Sequence, residues 1–199
     1  MNRIKNILIL FYASGVLCSC ANRNISKYYF ENQKILDSIQ RSYKEYSKPI
    51  PFSIEFTNTS FTNISIEIFT DTLKYIYEFT LTENRLKDTL QKYNLPVPRV
   101  IEIISQMQSI HCTWINNLDY YVGRKKNYLV FMSIRPTLLN FPFTNKKYYI
   151  LTYFQQPQYY DSEGRLLDHR RRKKIRKINE DVFRRITDKV AYTISDRFR

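Results

Sequence analysis

Phe52-Ser-Ile-Glu-Phe-Thr57, Ile64-Ser-Ile-Glu-Ile68 and Leu73-Lys-Tyr-Ile-Tyr-Glu-Phe-Thr-Leu81 follow one another in close succession. Phe52, Ile54 and Phe56 alternate with Ser53, Glu55 and Thr57, and Ile64, Ile66 and Ile68 alternate with Ser65 and Glu67. Leu73, Tyr75, Tyr77, Phe79 and Leu81 alternate with Lys74, Ile76, Glu78 and Thr80. Period two with one polar side predicts antiparallel strands covered on one face. Asn58-Thr-Ser60 and Thr70-Asp-Thr72 supply the turn residues between them.

Upstream, Tyr29, Leu36, Ile39, Tyr43 and Tyr46 recur at spacings of three, four or seven, which predicts a helix from Ser26 to Ser47. Lys48-Pro-Ile-Pro51 stops it, because proline disfavours helical geometry in the residue before it. Downstream, Thr82 is placed to cap a helix from Glu83 to Tyr93 with Leu86, Leu90 and Tyr93 inward. Pro98 suits the first turn of a third helix, to Ser109, whose stripe is Val100, Ile103, Ile104 and Met107.

The second half returns to strands. Leu118–Val122 and Tyr128–Arg135 flank a loop, Gly123–Asn127, and Pro136–Pro142 reads as irregular. Lys146–Gln156 is apolar on both faces and predicts a central strand. Asp161-Ser-Glu-Gly164 reads as a tight turn with glycine last, joining Gln158–Tyr160 to Arg165–Leu167. Arg171–Phe198 reads as a closing helix, with Ile175, Ile178, Val182, Ile186, Val190 and Ile194 on one face. Together these predict an α+β domain over residues 26–199: a mostly antiparallel sheet of about six strands with helices packed on one face.

The chain has 199 residues and only three glycines, Gly15, Gly123 and Gly164. That excludes glycine-rich phosphate cradles, which need several residues that let backbone approach a ligand closely. The two histidines, His111 and His169, and three cysteines leave little material for a metal site. No cofactor is expected.

At the amino terminus, Arg3 and Lys5 precede an uncharged stretch, Ile7–Leu17, too short for a comfortable bilayer crossing. Leu17-Cys-Ser-Cys20 closes it. This segment resembles the signal peptide and lipobox of bacterial prolipoproteins, with Leu17 at minus three, Ser19 at minus one and Cys20 as the acceptor. Cys18 at minus two departs from the usual small or hydroxyl residue. The resemblance covers about a tenth of the chain. It implies a signal peptide over 1–19, lipid on Cys20, and a short tether over 20–25. It also implies a membrane partner through the N-terminal lipid. No acidic residue follows Cys20 directly, which under the same resemblance points to an outer membrane facing the periplasm. Anchoring by one acyl chain is marginal at about 0.8 kcal/mol per buried methylene, whereas two or three chains hold firmly. Cys112 would then be the one remaining thiol, read as a small buried hydrophobe because Ile110, Trp114 and Ile115 surround it.

The formal net charge is +14, and removal of Arg3 and Lys5 with the leader leaves +12. Eight of the thirteen residues from Arg165 to Lys177 are Lys or Arg. Arg170, Arg171, Arg172, Lys173, Lys174, Arg176 and Lys177 are the candidate contacts for anionic lipids or cell-wall polymers. A solvated helix face is the plain alternative. Nucleic acid ranks last, since an exported lipoprotein rarely meets it.

Chemistry is sparse. Adjacent strand residues point to opposite faces, which argues against a His111–Cys112 pair. Glu55, Glu67 and Glu78 share the polar faces of the first three strands, where two carboxylates could converge for acid–base work on a glycan. Seventeen tyrosines, several in adjacent pairs, suit half-buried sheet positions and equally binding surfaces. The sequence therefore predicts a lipid-anchored envelope protein that binds or scaffolds an unknown protein partner, with an envelope hydrolase or a basic nucleic-acid binder as the alternatives.

Overall fold

The computed structural model describes residues 25–122, 125–134, 148–168, 173–178 and 180–195. The chain divides into two compact units, Met1–Leu36 and Asp37–Arg199, with the boundary inside helix α1 (25–46). In the first unit Ile25, Tyr29 and Leu36 are buried, and the Asn32 side chain donates to the Tyr28 carbonyl at 3.0 Å.

The second unit is built on a sheet of eight strands, not six. The strands are β1 (Phe52–Phe56), β2 (Asn63–Phe69), β3 (Lys74–Thr80), β4 (Cys112–Val122), β5 (Lys125–Ile134), β6 (Tyr148–Phe154), β9 (Arg184–Arg185) and β10 (Val190–Ser195). Their order is β3-β2-β1-β4-β5-β6-β10-β9, with every neighbouring pair antiparallel. A separate ribbon joins β7 (Lys177–Ile178) to β8 (Asp181–Val182). Helices α2 (Asn84–Lys92) and α3 (Val97–Ser109) lie between β3 and β4 in sequence. The architecture is α+β with an antiparallel sheet.

The alternation in β1 and β2 buries its apolar side as the sequence predicts, whereas in β3 only Phe79 of that side is buried and Leu73 and Tyr75 are exposed. Ile54 pairs with Ile66 and Phe56 with Ile64, and all four are buried. The same face continues through Ile115, Met132 and Leu151. The Tyr43 hydroxyl of α1 donates to the Phe52 carbonyl and reaches the Asn117 side chain at 3.1 Å. One turn on, Ser47 bonds to the Tyr128 hydroxyl. Burial raises the Tyr43 hydroxyl well above its ordinary pKa, and the Tyr128 phenol raises it further, so Tyr43 is a neutral donor there.

Three expectations are corrected. The hairpin connection predicted at Gly123–Asn127 is shorter, because β4 and β5 pair as far as Val122–Lys125. Asn127 is buried within that ladder instead of looping out. Thr82 does not cap α2; the N-cap is Glu83, whose carboxylate instead takes the Thr80 N–H and an Arg85 ion pair. The largest correction is at the C-terminus, where no helix forms over the described part of 171–198. Val190–Ser195 pairs along its whole length with Tyr148–Tyr153. The helical spacing of Ile175, Ile178, Val182, Ile186, Val190 and Ile194 is real but consists of β-branched residues, whose stiff side chains fit a pleated surface better than a helix. Glu180 closes the β7–β8 hairpin at φ 67°, a left-handed conformation that a helix interior does not contain. The predicted strand at Pro136–Pro142's far side, β6, begins at Tyr148; Pro136–Pro142 itself lies outside the described residues.

Candidate functional site

The second face of the sheet is apolar at β4, β5, β6 and β10, where Trp114, Leu129, Phe131, Ile150, Phe154 and Ala191 form a core with Leu166, Ile178 and Phe183. These last three come from an irregular module spanning Pro157–Lys189. Its centre is the segment 165–168. Leu166 donates its N–H to the Phe183 carbonyl and accepts from Arg176 N–H, both at 2.8 Å. Leu167 bridges Ile175, and Asp168 N–H meets the Lys174 carbonyl at 2.8 Å. The segments on either side of the basic tract are therefore antiparallel partners.

The turn that starts this module is built as its sequence suggests. Gly164 N–H bonds the Asp161 carbonyl at 3.0 Å, and Gly164 sits at φ +74°. The Asp161 carboxylate accepts the Arg165 and Glu163 N–H groups at 2.7 and 3.0 Å and the Arg165 guanidinium at 2.7 Å. Partial desolvation raises its pKa, but these hydrogen bonds and the Arg165 charge outweigh that and hold it below the usual carboxylate value.

Of the cations read from the sequence, Lys173, Lys174 and Lys177 are exposed and Arg176 is half-buried. Arg170, Arg171 and Arg172 lie outside the described residues, as does Cys20. The fold adds cations that a helical reading scatters. Arg165 bridges Arg184 of β9, and the next residue of that strand, Arg185, donates its N–H to the Gly164 carbonyl. Part of this charge is compensated. Arg165 pairs with Asp161 at 2.7 Å and Glu163 at 3.2 Å, and Arg185 pairs with Asp188 at 2.6 Å while standing 5.8 Å over the Tyr160 ring. Burial pushes the Tyr160 phenol up to about 12 against the opposing pull of Arg185. Lys177 meets Glu180 at 3.8 Å, but both side chains are exposed, so that pair holds little. Lys173 and Lys174 make no ion pair among the described residues.

Glu55, Glu67 and Glu78 do share one face of β1, β2 and β3. Glu55 and Glu78 flank Ser65 in a single cross-strand row, about 10 Å apart at the backbone, which is two strand spacings. Glu67 is tied down: Oε2 accepts from Ser53 at 3.2 Å and Oε1 from Lys74 at 3.1 Å. That arrangement organises an ion pair with Lys74.

Cys112 is fully buried and donates weakly to the Trp114 carbonyl at 3.4 Å. Burial pushes its pKa up to about 12, so the thiolate that a nucleophile needs is suppressed. His111 sits at φ 54° in the reversal between α3 and β4 and is exposed, its ring edge-on to Phe61. His169 lies outside the described residues. Tyr75, Tyr77 and Tyr93 cluster at the β3–α2 corner, with the Tyr77 and Tyr93 hydroxyls 2.7 Å apart. Sequence reading missed this cluster, although Tyr75 and Tyr77 already shared one face in the alternating pattern.

Among the described residues, no helix is long and apolar enough to cross a membrane, and no three metal-ligating side chains converge. Compared with known proteins, the chain matches no family model, no curated protein and no solved structure.

Proposed function

We propose that this chain is a lipid-anchored protein of the cell envelope, held by acyl chains on Cys20 at the periplasmic face of an outer membrane. It acts by binding or scaffolding. Its basic C-terminal module contacts anionic headgroups or cell-wall polymers. The anchor reading rests on the order of charge, apolar stretch and Leu17-Cys-Ser-Cys20.

The observation that carries the contact reading is the way the module presents charge. Leu166, Ile178 and Phe183 are sunk in the core, so the backbone bearing Lys173, Lys174 and Lys177 is fixed while their ammonium groups stand in solvent. Each cation held near an anionic membrane contributes about 1 kcal/mol. Three of them give a free energy sufficient to orient a body already tethered by lipid, and too small to anchor one alone. Burial of Cys112 removes one candidate reactive group from the competing hydrolase reading.

Co-sedimentation of residues 21–199 with vesicles of phosphatidylglycerol or of phosphatidylcholine tests the contact. Binding to the anionic vesicles at low salt, lost at high salt and weakened by Lys173→Gln with Lys174→Gln, is the expected result. Equal binding at both salts, or binding indifferent to the two substitutions, rejects it. Tighter retention on single-stranded nucleic acid than on the vesicles would favour the nucleic-acid reading instead.

A further inference from the structure

Among the described residues, strand β3 is an edge of the eight-stranded sheet with no strand beyond it, and its register shows which backbone groups β2 leaves unused. Thr70 N–H bonds the Leu73 carbonyl and Leu81 N–H bonds the Thr62 carbonyl, both at 2.9 Å. The odd-numbered residues of β3 therefore exchange hydrogen bonds with β2, and Lys74, Ile76, Glu78 and Thr80 turn their N–H and C=O groups outward. Thr80 is closed off: its N–H meets the Glu83 carboxylate at 3.3 Å and its carbonyl takes Glu83 N–H at 3.0 Å. Among the described residues, Lys74, Ile76 and Glu78 keep the edge open. At the other end of the sheet, β9 is covered by the Gly164–Leu166 segment, through the Arg165–Arg184 bridge and the Arg185–Gly164 bond.

Exposed edges are ordinarily blunted by proline, by a bulge or by charge that repels a second strand. β3 contains no proline, and it pairs with β2 without a register shift. Ile76 is 56% exposed and Tyr75 37%. The charges are arranged so that they attract. Lys74-Tyr-Ile-Tyr-Glu78 carries its cation and its anion at equal distance on either side of Ile76. Rotated by a two-fold axis through Ile76, the strand sets Lys74 opposite Glu78 of the second copy, Glu78 opposite Lys74, Ile76 opposite Ile76, and each Tyr75 opposite a Tyr77. Every residue placed in a hydrogen-bonding pair by that register is one whose backbone groups point outward. Parallel pairing instead sets Lys74 against Lys74, and like charges directly opposite are destabilising. Glu78 makes no ion pair among the described residues, whereas Lys74 already holds Glu67 at 3.1 Å and has donors to spare.

We propose that β3 is a homodimer interface, in which two copies of this chain pair edge to edge through Lys74–Glu78 about a two-fold axis at Ile76 and join their sheets into one. The contact is isologous, so it closes at two copies and does not propagate.

Sedimentation equilibrium of the full-length chain in a density-matched non-ionic detergent reads the copy number directly. The wild type is expected at about twice the 24.2 kDa of one chain. Lys74→Glu places two acids opposite two acids across the axis, and Glu78→Lys places two bases opposite two bases, so each variant alone is expected at the monomer mass. An equimolar mixture of the two variants is expected to return to the dimer mass, because all the acids then face all the bases. That recovery separates the interface from a mere folding defect. A wild type that stays monomeric up to about 100 μM overturns the proposal. So does a dimer that survives both single substitutions, and so does a mixture that stays monomeric.

Discussion

Leu167 and Ile175 face each other across an antiparallel bridge, and the densest run of positive charge in the chain lies between them. The bridge places the described cations of that run, Lys173 and Lys174, in a module with its own apolar foundation. Leu166, next to the bridge, is fully buried in the core under β5 and β6. Leu166→Ala is expected to cost about 2–5 kcal/mol, the range for removing a buried leucine side chain. Lys173→Gln with Lys174→Gln, at exposed positions, is expected to stay within about 0.5 kcal/mol of wild type. Urea unfolding curves check both, and similar losses in the two variants would contradict a module organised this way.

Tyr43 joins a helix to the sheet through one hydroxyl. Tyr43→Phe keeps the ring but strands the Phe52 carbonyl and the Asn117 amide, so a loss of about 1–3 kcal/mol is expected. A chemical-denaturation midpoint unchanged from wild type would mean that the bond contributes nothing.

The converse holds for Thr152. Its hydroxyl is buried and has no hydrogen-bond partner among the described residues. Thr152→Val removes that hydroxyl at nearly constant volume and is expected to raise stability, by about 1 kcal/mol, as relief of an unmet polar group does. A lowered melting temperature would show that the hydroxyl is satisfied.

The Cys112 thiol, pushed up to about 12 by burial, is expected to resist a disulfide reagent at pH 8 in the folded chain and to react fully in denaturant. Cys18→Ser with Cys20→Ser isolates the signal. Reaction within minutes under native conditions would place the thiol at the surface.

Acid acts on the Asp161–Arg165 turn. Because the Asp161 pKa is lowered in the folded state, its stabilising contribution is fully present above the ordinary carboxylate value, about 3.9. It is lost as pH falls through the lowered value. Asp161→Asn is expected to remove this acid dependence while loosening the turn. Amide-proton linewidths of Glu163 and Arg165 across pH 5 to 2 follow it, and identical profiles for the two proteins would rule the carboxylate out.

The parts of the fold legible in the sequence are those where a single local rule decides. Period two in Phe52–Leu81 has no helical competitor, and the prolines at 49, 51, 96 and 98 bound the helices. The C-terminal third obeys two rules at once. Ile178, Val182, Ile186, Val190 and Ile194 satisfy helical spacing, while Val190-Ala-Tyr-Thr-Ile-Ser195 also alternates across a sheet. What decides between them is β6, whose six paired residues lie some forty positions earlier and are invisible to a local pattern. The candidate site was legible as composition, in the run of cations, and illegible as geometry. Arg165 and Arg184 become neighbours only after the strand pairing is known.

Anchoring turns on Cys20. Labelling cells with radioactive palmitate, for wild type and Cys20→Ala, tests it directly. Lipidation at Cys20 predicts a labelled wild type that begins at Cys20 and fractionates with envelope membranes, and an unlabelled, unprocessed Cys20→Ala chain. An unlabelled wild type that retains Met1 and a free thiol at Cys20 would contradict it.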